Sequence, residues 1–218
     1  MLLSARDEET GEAMGEKQLR DEVMNLLIAG NETTAVALSW TWHLLHRHPG
    51  AERKLHEELG EVLGGRSPTF GDLPELAYAR MLLTEAMRLY PPAWIVSRRP
   101  LEDDEIGGYR VPADATVLIS PYVTHRNPAY WHRPGVFDPE RFSPERSTGR
   151  PEFAYLPFGG GPRKCIGEHF AMTEGVLILA TIAQRYRLGP VPGHPVEPEP
   201  LVTLRPRRGV LVALEARK

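Results

Sequence analysis

Cys165 is the only cysteine of the chain, and it lies inside Phe158-Gly159-Gly160-Gly161-Pro162-Arg163-Lys164-Cys165-Ile166-Gly167. An apolar segment with helical spacing follows directly. An aromatic ring, a glycine run, a cation and one thiol are thereby delivered to the start of a helix. Iron takes sulfur as thiolate, and the free N–H groups and dipole of a helix N-terminus favour that anion. The glycines let backbone N–H groups point at the sulfur and let the chain approach a flat ligand closely. Arg163 is placed to pair with a carboxylate on such a ligand. Phe158 is expected to pack near the sulfur and tune its electronics. Taken alone, a free cysteine is more often buried and inert. The neighbours reverse that reading, because a chance match to Phe-x-x-Gly-x-Arg-x-Cys-x-Gly is on the order of 10⁻⁴ at average residue usage.

The rest of the composition narrows the setting. The 218 residues suffice for one sizeable core or part of a larger one. A formal net charge of −3 gives no electrostatic case for nucleic acid. The longest apolar run, residues 175–183, is too short to span a bilayer. The N-terminal stretch from Met1 to Asp7 has no apolar leader region. One cysteine excludes an internal disulfide and fits a reducing, cytoplasmic compartment.

Periodicity predicts a long helix over residues 16–48, with Leu19, Val23, Leu26, Leu27, Gly30, Thr34, Ala37 and Leu38 at three- and four-residue steps. Pro49-Gly50 is expected to end it. A second helix is read over 51–63 and a third over 76–89, with Asp72 as a cap for a short turn between them. Extended pieces follow at 94–97, 109–111 and 116–119. Residues 127–158 are proline- and aromatic-rich with little periodicity, and a meander of that length is usually functional. A last helix is read over 165–186, and residues 209–214 as a terminal hairpin strand. The fold class is mainly α with a small β subdomain (α+β), in one domain over 1–218.

Three further groups have both a structural and a chemical reading. Glu85 and Arg88 are neighbours on one helix face. Such pairs are mostly solvated, but Met81, Leu82, Leu83, Met87 and Leu89 argue for burial, and burial demands further partners. Ala29, Gly30, Thr33 and Thr34 share a face of the long helix. A mid-helix glycine costs about 1 kcal/mol, so it marks room for a ligand, a local widening or a packing notch with threonines bonded back to carbonyls. His43 and His46 are read as exposed helix histidines, since no third metal ligand is evident.

The cysteine loop resembles the haem-binding signature of the cytochrome P450 family. Three other elements resemble that family, in order: Ala29-Gly30-Asn31-Glu32-Thr33-Thr34, Glu85-Ala86-Met87-Arg88 and Pro139-Glu140-Arg141-Phe142. His125-Arg126-Asn127-Pro128 with Trp131 is a further similar stretch. The resemblance implies the C-terminal part of that fold. It implies haem b (iron protoporphyrin IX) with Cys165 as axial thiolate, and Arg163, Phe158, Gly161, Gly167, Ala29 and Gly30 around the cofactor. Arg98 is implied to pair with a propionate, with Arg99 as competitor. Arg141 joins Glu85 and Arg88 in a structural network that locks the meander, and His125 packs near it. Thr33 would hydrogen-bond dioxygen, and Glu32 would relay protons; many members carry Asp at the acid position.

The implied activity is monooxygenation of a small apolar organic substrate by O2. No Gly-x-Gly-x-x-Gly fingerprint is present, so electrons are expected from a separate ferredoxin, flavodoxin or reductase, docking on basic surface that includes Lys164. Members of the family are roughly twice this long, so the family's N-terminal helices are expected to be missing. An apolar face of the long helix would then be exposed, and the 218 residues alone are expected to fold poorly and bind haem weakly. Two rival readings are a peroxygenase, which can dispense with Glu32 and Thr33, and a non-catalytic haem-binding scaffold.

Overall fold

The computed structural model describes residues 4–7 and 9–217; Met1–Leu3, on which the leader reading partly rests, lie outside the described residues. The long helix, α1, spans Glu16–Leu45 rather than reaching His48. The reason is Pro49. A proline pushes the residue before it out of the helical region, and His48 has φ −130°, ψ 74°. Pro49 then opens α2 (Pro49–Leu63) at a first-turn position, where its missing N–H is harmless. Gly64, at φ 54°, ends α2 in the left-handed conformation that favours glycine.

The loop after α2 closes in a 3-10 turn at Phe70–Asp72. The cap of this turn is Thr69 and not Asp72, which instead closes the reciprocal capping box from three residues on. The third helix, α3 (Ala77–Leu89), begins on the Glu58 carboxylate of α2, which accepts from the N–H groups of Tyr78 and Ala79.

Among the described residues, eight short strands form four two-stranded antiparallel sheets. β1 (Val96–Arg98) pairs with β4 (Val117–Ile119), and β2 (Asp104–Ile106) with β3 (Tyr109–Val111). The acidic β2 has no strand-like composition; the Gly107-Gly108 turn, with both φ positive, makes it one. α4 (Pro121–Thr124) precedes the meander, which holds a 3-10 turn over Pro139–Phe142 and α5 (Pro144–Ser147). The last long helix, α6 (Glu168–Arg185), starts three residues later than expected because Gly167 is its N-cap. β5 (Tyr186–Pro190) continues from α6 and pairs with β8 (Val212–Ala216). The terminal strand therefore closes on β5, not in a hairpin with its neighbour. The hairpin of the tail is β6 (Pro198–Pro200) with β7 (Leu204–Pro206).

The core lies where α2, α3 and α6 meet the second half of α1. Leu55, Leu76, Leu82, Val176 and Leu179 are fully buried there, each contributing about 1.5–3 kcal/mol. Gly175 lets α6 lie close on α3, since a Cβ there would meet Leu83 Cδ2 at 2.6 Å. The expected pair of exposed histidines is corrected by this packing. His43 is only 7% exposed and sits edge-on to Trp40 and His46. Burial pushes its pKa down to about 4. No cluster of three metal-binding side chains occurs among the described residues. No helix of the described residues is long and apolar enough to cross a membrane.

Candidate functional site

The site is built outward from α3. Glu85 and Arg88 have no solvent exposure. Arg88 uses all five of its N–H donors. Nε and Nη2 hold Glu85 at 2.6 and 2.9 Å, Nη1 reaches the carbonyls of His125 and Pro134 at 2.8 and 2.7 Å, and Nη2 also reaches that of Val136 at 3.2 Å. Arg141 approaches the same carboxylate, Nε to Oε1, at 3.4 Å and donates to the carbonyls of His132, Arg133 and Val136. The N–H of Asp138 completes the shell of Glu85 at 2.9 Å. The indole of Trp131 lies 5.0 Å from the Arg88 guanidinium and 4.4 Å from that of Arg150. The structure thus brings Glu85, Arg88 and Arg141 together and ties them to the backbone of the meander.

His125 carries that order toward the cysteine. Its Nε2 accepts from the N–H of Leu156 at 2.9 Å, its ring lies 5.0 Å from that of Tyr155, and it is fully buried. Desolvation holds its pKa down to about 3, so the ring is neutral at ordinary pH. Leu156 in turn accepts from Gly159, and the loop begins.

The loop is wound by short-range bonds: Lys164 N–H to Gly161 O at 3.0 Å and Cys165 N–H to Phe158 O at 2.9 Å. Gly159 and Gly161 adopt φ of 72° and 67°. Gly160 faces the Phe153 ring so closely that a Cβ would sit 2.6 Å from it. Phe158 is half-buried against the core, while Cys165 is an exposed free thiol. Cys165 precedes the N-cap Gly167 by two residues, and a Cβ on Gly167 would lie 3.7 Å from its sulfur. Lys164, expected to offer a free positive charge, is paired with Glu168 at 2.6 Å.

Arg98 and Arg163 both lack a carboxylate partner among the described residues; the guanidinium of Arg98 reaches only the carbonyl of Ser97. Arg99, by contrast, is committed to Asp114. On α1, Thr33 donates its hydroxyl to Ala29 O at 2.7 Å. Apart from the adjoining stretch of α1, nothing among the described residues lies within 4 Å of where a Cβ on Gly30 would be. Glu32 accepts from the hydroxyl of Thr203 at 2.7 Å. No hydrogen bond or ion pair among the described residues joins the cysteine loop to Ala29, Gly30 or Thr33.

Three contributors escape sequence reasoning: Glu58, Trp40, whose Nε1 donates to Leu204 O at 2.7 Å, and Thr203. Thr203 lies 171 residues from Glu32, and no local pattern marks the pair. The residues present fit haem. An exposed thiol, two guanidiniums free of carboxylates and open space beside Gly30 match its iron, its propionates and its flat macrocycle.

A buried carboxylate–arginine network thus braces a glycine loop that carries one exposed thiol. Comparison with known proteins agrees: residues 1–212 match the sequence model of the family described as Cytochrome P450, and the chain belongs to the cytochrome P450 family. It is 53% identical to cyclooctatin synthase of Streptomyces melanosporofaciens, over 93% of this chain and 44% of that protein. It is 40% identical to pentalenene oxygenase of Streptomyces avermitilis, over 99% of this chain and 48% of that protein. The crystal structure of the cytochrome P450DA heme domain superposes with a TM-score of 0.94 at 33% identity, over 100% of this chain and 49% of that one. The chain therefore spans about half the length of the curated relatives it matches, as the C-terminal part of the fold.

Proposed function

We propose that this chain is the haem-thiolate part of a monooxygenase that inserts one atom of O2 into a small apolar organic substrate. The carrying observation is the exposed Cys165 thiol, held in a glycine loop braced by the buried Glu85–Arg88–Arg141 network. Haem bound through that thiolate supplies O2 activation, because thiolate electron density favours O–O cleavage. The chain's own part is to bind, orient and deliver protons. Arg163 and Arg98 would hold the two carboxylates of the haem. Phe158, Gly161 and Gly167 shape the proximal loop, and Ala29 and Gly30 leave room on the opposite helix. Thr33 keeps its hydroxyl oxygen available to accept a proton-bearing partner while it donates to Ala29 O. Glu32 supplies an exchangeable proton one residue away.

Electrons come from a separate ferredoxin, flavodoxin or reductase. The pairing of Lys164 with Glu168 moves the docking charge off that lysine. The name of one bacterial relative, pentalenene oxygenase, supports the reaction class. The test is the reduced carbon monoxide difference spectrum. The haem-loaded protein is expected to show the thiolate band near the red-shifted Soret position, and Cys165→Ala to lose it completely. A band unchanged in that variant overturns the reading. A non-catalytic haem-binding scaffold is the second reading, favoured by the bare apolar face of α1 at Val23, Met24, Leu26, Leu27 and Ile28. Haem binding without substrate-dependent O2 consumption identifies it.

A further inference from the structure

Glu32 does not stand free on α1. Its carboxylate accepts from the hydroxyl of Thr203, whose residue is only 5% exposed, at the tip of the β6–β7 hairpin. Further bonds hold that tip besides the one its threonine side chain makes. Leu204 N–H donates to Pro92 O at 3.0 Å, Trp40 Nε1 to Leu204 O at 2.7 Å and Trp94 Nε1 to Leu201 O at 2.8 Å. Leu201 N–H also bonds to Thr203 O, closing the turn on itself. A hydroxyl presented from a frame this well tied has little freedom of its own. It fixes the carboxylate it meets, and the bond between them adds in turn to the hold on the tip. Beside it, Leu201 and Val202 are 51% and 93% exposed, an apolar pair at the same tip.

We propose that Thr203 is a positioning residue: its hydroxyl holds the Glu32 carboxylate toward the hairpin tip, so that the acid and the apolar tip move as one unit. The side chain of Glu32 sits on the turn of α1 that carries Thr33, whose hydroxyl is already donated to Ala29 O. Where the acid points therefore depends on Thr203. This assignment rests on the reading of Glu32 given above.

Two measurements on the haem-loaded protein separate the tie from that reading. The first is amide hydrogen exchange at Leu201 and Leu204, which needs no turnover. Thr203→Val and Glu32→Ala are each expected to speed exchange by about fivefold, the loss of one ordinary hydrogen bond. The double variant is expected to go no faster than either single one, because both remove the same bond. Unchanged exchange, or additive effects, overturns the proposal.

The second is product formed per electron consumed. Glu32→Ala is expected to lower it by about 10²-fold, the lower end for a lost proton-transfer group. Thr203→Val is expected to move most of the way to that value with KM little changed, and Thr203→Ser to restore it. If Glu32→Ala impairs coupling and Thr203→Val does not, the positioning role fails. If Glu32→Ala leaves coupling intact, the proton-relay reading fails instead, and the exchange data alone decide the tie.

Discussion

The α3–meander junction and the first half of α1 are opposites. At the junction, three charged side chains are buried with every donor of Arg88 satisfied. Along the first half of α1, five large apolar side chains are 46–62% exposed. Polar groups are inside and apolar groups outside, the reverse of the usual partition. The junction tolerates its charges because the guanidinium of Arg88 knits three separate carbonyls of an irregular segment to one helix. A hydrophobic replacement would fill the space and leave those carbonyls unpaired. The face of α1 meets no partner among the described residues and draws its helicity from chain continuity with its buried second half.

The contrast breaks most visibly at Glu85. Glu85→Gln leaves Arg88 and Arg141 buried with no counter-charge, a loss of about 3–5 kcal/mol. Typical domains have about 5–15 kcal/mol in total. Denaturant unfolding should show a collapse of the midpoint. A shift below about 1 kcal/mol would mean that the network adds order without stability, the other outcome seen for buried ion pairs.

The junction is legible in the amino-acid sequence, and the reason is physical. Glu85 and Arg88 are three residues apart on one helix, and the loop of Cys165 carries its glycines in a row. Local spacing encodes both. What is not legible spans long separations or depends on neighbours. The bond of Trp40 to Leu204 crosses 164 residues, and that of Thr203 to Glu32 crosses 171. His43 reads as exposed because its helix face carries histidines; α1 buries that face against the core all the same. Asp72 reads as the cap of the turn at 70–72 although Thr69 holds that place, since both residue types cap and only the backbone says which comes first.

Acid sharpens the comparison next. In the folded chain His125 takes a proton only near pH 3, against 6.5 for the free side chain, because burial opposes its charge. Between those values unfolding takes up a proton, so stability is full above about pH 6.5 and falls as pH drops toward 3. The slope from this group is at most about 1.4 kcal/mol per pH unit. His43 and His56, both lowered to about 4 by burial, act in the same direction. Unfolding midpoints at pH 7.5 and 5 should differ accordingly. A flat profile over that range would mean that burial holds none of the three rings neutral, His125 included.

Within α1 itself, the two halves can be set against each other. Trp40 is fully buried, stacks on Tyr90 at 4.0 Å and satisfies the carbonyl of Leu204. Trp40→Phe keeps a ring but orphans that carbonyl, at about 1–3 kcal/mol. The same measurement on the first half is expected to give almost nothing.

Leu27→Gln and Ile28→Gln are the smallest effects and the most discriminating. Each side chain is 62% exposed, so removing it creates no cavity and leaves no polar group unpaired. Substitutions of that kind fall within about 0.5 kcal/mol. Their effect should appear instead in self-association, because a bare apolar stripe is a contact surface. Sedimentation should show fewer high-mass species in the glutamine variants than in the parent chain. Suppose instead that either variant loses more than about 1 kcal/mol, with a Tm that rises with protein concentration in the parent. Then the stripe is buried against a second molecule in solution, for mass action stabilises only what binds the folded state. The bareness of α1 would then belong to the single chain and not to the protein as it exists at that concentration.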